Sequence, residues 1–117
     1  SLLNAASSRF NEGLLVNTAD LGANVLYIDA AYYVNLYTSS PGSYSFDNAT
    51  TPVCTSVDAG NGIGIGTGQV NSALCTTATL LPSANQNKYV FADAVYLTPS
   101  AHRQLGDYAY DRLRARW

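Results

Sequence analysis

Residues 23–30 read ANVLYIDA, and the fold class hangs on them. Val25, Leu26, Tyr27 and Ile28 make a continuous apolar run of β-prone side chains. Without polar alternation, such a run predicts a strand covered on both faces, as in a parallel α/β sheet. The preceding SLLNAASSRFNEGLLVNTAD, residues 1–20, puts Leu3, Ala6, Phe10 and Leu14 at helical spacing on one apolar stripe. Gly13 weakens that helix by roughly 1 kcal/mol relative to Ala, and Gly22 is a fitting stop. Helix, short turn and buried strand make the second half of a βαβ unit. Asp29 follows the strand directly. Strand C-terminal ends carry sites in α/β folds, but the commoner role of such an Asp is to cap the next helix. AAYYVNLY, residues 30–37, reads as a short helix of that kind. A buried parallel strand needs neighbours for its backbone groups, and no other run in the chain is as clear. The sheet is therefore expected to be completed by the N-terminal half of the same domain or by another chain.

Composition narrows the function. The chain has 117 residues, 47% apolar and 12% charged, with a net charge of −2. That length suits one modest domain. Charge at about half the usual share leaves a surface of Ser, Thr, Asn, Gly, Ala and Tyr, common in secreted bacterial proteins. There is no basic patch of the kind a nucleic-acid partner needs. No apolar run approaches the ~20 residues of a membrane span. The chain opens at Ser1, contains no methionine, and has no charged segment leading into an apolar stretch, as a signal peptide would. It is expected to be a processed or excised piece of something longer.

Cys54 and Cys75 have twenty residues between them and no neighbouring His or Cys ligands, a poor zinc site. A disulfide closing a loop rich in Gly, Ser, Thr and Asn is the better reading, contributing on the order of 3 kcal/mol in the chain-entropy model. It would place the protein outside the cytosol. The alternative is two unrelated buried thiols. Residues 38–90 read as loop-rich, with a Pro41-Gly42 turn signal. GNGIGIGTG, residues 60–68, has no strand leading in and no helix opening with Lys-Ser or Lys-Thr, so it reads as a surface loop and not a phosphate cradle. Tyr89, Val90 and Phe91 return the chain to the core. Thr98 then caps a final helix with Pro99 in its first turn. Ala101, Leu105, Tyr108, Ala109 and Leu113 line one face, and the helix is expected to end near Arg114, where clustered arginines suit its dipole.

The stretch FADAVYLTPSAHRQLGDYAYDRL, residues 91–113, resembles the C-terminal block of GDSL (SGNH) esterases and lipases. The family pattern is Asp, two residues, His, then Pro-Thr and a helix. Asp93 stands at the Asp and Thr98 at the Thr, while Tyr96 and Leu97 stand where His-Pro is expected. Residues 22–54 and 73–93 also look like the strand, helix, two cysteines and catalytic-loop approach of secreted proteobacterial members, so the likeness covers nearly all of the chain. The ending DRLRARW is similar to the close of an autotransporter esterase passenger, before its membrane barrel.

The resemblance implies a three-layer α/β/α sandwich with a parallel sheet, of which residues 1–117 would be the C-terminal segment. It implies hydrolysis of carboxylic or lipid esters by a Ser–His–Asp triad, without cofactor or metal, at the bacterial cell surface or beyond. In that chemistry His takes the proton of Ser, Asp orients the imidazole and an oxyanion hole holds the intermediate. No GDS motif occurs in this sequence. A phenol is a poor general base at pH 7. His102 has the right chemistry, but it lies six residues beyond Tyr96, about 9–10 Å away on a helix, far outside the ~3 Å a base needs. The chain by itself is expected to be inactive. Two other readings stand beside this one: a non-catalytic binding or structural module on the same fold, and an unrelated small disulfide-bonded domain.

Overall fold

The computed structural model describes residues 1–117. Helices dominate it: α1 (Leu2–Thr18), α2 (Ala30–Ser39) and α3 (Pro99–Arg116). Between α2 and α3 lie short 3-10 turns and one antiparallel hairpin, β1 (Val57–Asp58) with β2 (Gln69–Val70). No helix is long and apolar enough to cross a membrane.

The local signals account for the helix ends. Asp29 caps α2, its Oδ1 accepting the Tyr32 amide at 2.9 Å, so the capping reading of Asp29 holds and nothing in the structure gives it a catalytic partner. Thr98 caps α3 through the Ala101 amide at 3.2 Å, with Pro99 in the first turn. Gly22 ends the turn after α1 at φ 69°, a left-handed conformation that L side chains rarely adopt. α3 runs two residues past the expected end, to Arg116, whose guanidinium donates to the Gly22 carbonyl at 2.8 Å.

The expected three-layer α/β/α sandwich with a parallel sheet is not what forms. The only sheet is the two-stranded antiparallel hairpin. Val25–Ile28 is half-buried and belongs to no strand, and neither Leu26 nor Tyr27 makes a backbone–backbone hydrogen bond. The physical reason lies in the other extended apolar run. Its backbone groups are already engaged: the Val90 amide donates to Asn48, the Phe91 and Ala92 carbonyls accept from Val53 and Cys54, and the Ala92 amide donates to Tyr96. No free ladder edge is left for Val25–Ile28, and an apolar run without a partner strand stays an extended connection.

The core is small and sits under α2 and α3. Tyr37, Phe46, Ala49, Val90 and Ala101 form one cluster. Val53, Cys54 and Ala92 form a second, around the Cys54–Cys75 disulfide, whose Cα atoms are 5.8 Å apart. α1 contributes no buried residue. Its predicted stripe is intact as a pattern but uncovered, with Leu3 at 76% and Phe10 at 70% exposure. The spacing that makes a helix amphipathic thus came without a surface to bury it.

Candidate functional site

The loop from Ala92 to Thr98 is closed by its own aspartate. The Ala92 and Asp93 amides both donate to the Tyr96 carbonyl, at 2.9 and 3.4 Å. Asp93 Oδ1 accepts from the Val95 and Tyr96 amides, each at 2.8 Å. Its Oδ2 accepts from the Ser72 amide, also at 2.8 Å, across 21 residues of sequence. The residue is completely buried, at 0% exposure. Burial pushes the carboxyl up, but the Ser72 side chain and the amides of Tyr96, Val95 and Ser72 outweigh it, and the group is held below the usual carboxylate value. Asp93 is therefore an anion matched to backbone donors.

Thr98 locks this loop to α3. It is buried, its hydroxyl donates to the Tyr89 carbonyl at 2.7 Å while capping the helix, and its amide donates to Val90 at 2.9 Å. Tyr96, three residues after Asp93, stands 52% exposed. His102 is exposed in the first turns of α3; its amide donates to the Thr98 carbonyl at 3.0 Å and its imidazole makes no hydrogen bond. The structure thus brings Asp93, the residue-96 backbone and Thr98 together and leaves the His102 side chain outside that network. The carboxylate's partners are three amides, with the Ser72 side chain beside them, and no imidazole.

Ser72 is the residue that sequence reasoning passed over. No local signal ties it to Asp93, because the pairing is made only by the tertiary return of the chain. Its neighbour Asn71 extends the network. Asn71 Nδ2 donates to Asp58 Oδ2 at 2.8 Å, and the Gly60 amide donates to Asp58 Oδ1 at 2.8 Å. The Asn71 hydrogen bond, with the Gly60 and Gly62 amides, holds the Asp58 carboxyl below its usual value. A Cβ at Gly62 would collide with Asp58 and Asn71, which accounts for one glycine of the 60–68 segment. That segment is the tip of the β1–β2 hairpin and cradles no strand-to-helix turn.

Two concavities border the loop. One, of about 490 Å³, lies beside the disulfide, with apolar walls from Val53, Leu80, Ala92 and Leu97 and hydroxyls from Ser72 and Thr98. A second, of about 300 Å³, is bordered by Thr50, Pro52, Phe91, Asp93 and Ala94. No group of three or more His, Cys, Asp or Glu side chains lies together in a metal-ligating arrangement. The disulfide is compatible with an oxidising, extracytoplasmic compartment. No family model, curated protein or solved structure matches this chain.

Proposed function

We propose that this chain carries the acid block of a GDSL-type ester hydrolase located at or beyond the bacterial cell surface, and that it has no turnover by itself. The observation supporting this reading is the Asp93 loop. A fully buried carboxylate holds the amide of residue 96, the position of the family histidine, and leaves the side chain of that residue half exposed at the surface. Asp93 is in the place of the acid that orients an imidazole, and Tyr96 replaces the base that would take a proton from the nucleophilic serine. The nucleophile would come from the N-terminal half of the same protein or from another chain, covering surface such as α1. The uncharged cavity beside the disulfide is of a size that holds small apolar ligands, which suits an ester or lipid substrate.

The test uses a polypeptide joining this chain to a GDS-type nucleophile block. The double variant Y96H/L97P is expected to raise hydrolysis of short-chain nitrophenyl esters by several orders of magnitude, with fluorophosphonate labelling of the serine as a second readout. H102A is expected to change little. If H102A abolishes an existing activity and the Tyr96 change does nothing, His102 is the base and the assignment fails.

One observation favours a second reading, a non-catalytic binding or structural module. Both oxygens of Asp93 are already engaged by amides. On this reading Y96H/L97P folds normally, labels no better than the parent and hydrolyses nothing.

A further inference from the structure

Away from the Asp93 loop, α2 and α3 meet through aromatic rings. Tyr33 of α2 stacks on Tyr108 of α3, with centroids 3.5 Å apart and planes 30° apart. Tyr37 meets Tyr44 edge-on at 4.9 Å and Tyr33 at 6.5 Å. These four rings border a concavity of about 300 Å³, and Gln104 and the carboxylates of Asp107 and Asp111 complete its lining. Tyr37, only 1% exposed, forms the floor, while Tyr33, Tyr44 and Tyr108 are half-buried walls.

The charge balance of this cleft is unsettled. Asp107 and Asp111 are exposed and stand at i and i+4 on one helix, where like charges repel. Neither makes a salt bridge, since the molecule's one ion pair is Arg9–Glu12. No Lys or Arg lines the cleft. Arg114 lies over Tyr110 and Arg116 over Trp117, and neither Arg103 nor Arg112 comes within ion-pair distance of either carboxylate. Tyr33 and Tyr108 cover one face of each other, and the remaining faces, with that of Tyr44, carry negative quadrupole density that attracts a poorly hydrated cation. The Tyr33 phenol is pushed up to about 12, chiefly by the neighbouring Tyr108 phenol, so that ring stays a neutral phenol at working pH.

We propose that the cleft formed by Tyr33, Tyr37, Tyr44 and Tyr108 with Asp107 and Asp111 binds an organic cation of the quaternary ammonium class. The rings supply cation–π attraction to the alkylated nitrogen, and the two carboxylates supply the net charge that a neutral ligand of the same shape cannot use. This binding is independent of any ester chemistry at the Asp93 loop.

The experiment is a titration of the intact chain with choline, followed by NMR of the tyrosine ring protons. Saturable shifts are expected at Tyr33, Tyr44 and Tyr108, with a Kd on the order of millimolar. The neutral isostere 3,3-dimethylbutan-1-ol is expected to give none at the same concentrations. D107N and D111N, both at exposed positions and so without cost to folding, are each expected to weaken choline binding about fivefold. Y108F is expected to retain binding, while Y108L loses it. Co-sedimentation with phosphatidylcholine vesicles but not phosphatidylglycerol vesicles, reversed by free choline, would identify the cation as a lipid headgroup. Choline binding without co-sedimentation would identify it as a free or peptide-borne cation. The proposal is overturned if choline gives no saturable shift, if the neutral isostere binds equally, or if D107N/D111N binds choline as tightly as the parent.

Discussion

Asp93 is held by backbone donors, and its replacement should be felt first as lost stability. D93N keeps one acceptor for the Val95 and Tyr96 amides but turns an amide donor or a weaker acceptor toward Ser72. The loss of charge-assisted hydrogen bonds in a buried site is expected to cost about 2 kcal/mol. The pH dependence has a definite sign. The folded carboxyl lies below its unfolded value of about 3.9. Its contribution is therefore complete above that value and is lost as pH falls through the lower folded one. Thermal melts between pH 7 and pH 3 should show D93N less stable than the parent near neutrality, with the gap closing in acid. Parallel curves at all pH values would mean that the anion does not brace the loop. Ser72 was invisible at this scale in the sequence because a backbone amide carries no residue-specific signature.

At the level of elements, α3 and α1 are opposites. Both read clearly as helices, but α3 is anchored and α1 is not. Thr98 caps α3, bonds Tyr89 and is buried, so two segments converge on one hydroxyl. T98A is expected to cost about 2–3 kcal/mol, combining a lost cap with an unsatisfied buried carbonyl. T98S keeps the hydroxyl and should recover most of it. Chemical denaturation followed by circular dichroism measures both; a T98A variant as stable as the parent would remove Thr98 from its role. α1 has no such anchor. Its stripe from Leu3 to Leu14 was legible because helical spacing is a local property, whereas its burial depends on a partner surface.

For the whole molecule, size and shape carry the message. The chain exposes 7777 Å², against ~6,100 Å² expected for a folded monomer of its mass. Its radius of gyration is 16.5 Å, against ~13 Å for a compact domain of this length. The excess fits a helix that is not packed on the body. With so small a core, the Cys54–Cys75 link carries weight. Its reduction, or the C54S/C75S variant, is expected to cost about 3 kcal/mol through the loop it closes. Thermal melts with and without reductant read this directly, and unchanged midpoints would contradict it.

Local chemistry determined a good part of this protein before any tertiary contact was considered. The helices, the Asp29 and Thr98 caps, the Gly22 stop and the loop-rich middle follow from side chains acting on backbone within a few residues of themselves. Tertiary structure alone decided the rest. Val25–Ile28 is β-prone but makes no strand, because a strand exists only where another backbone offers free donors and acceptors, and residues 89–92 are already bonded on both sides, to Asn48, Val53 and Cys54 on one and to Tyr96 and Thr98 on the other. The same dependence on distant partners brought Ser72 to Asp93 and Tyr33 onto Tyr108, contacts between segments whose meeting no local pattern encodes.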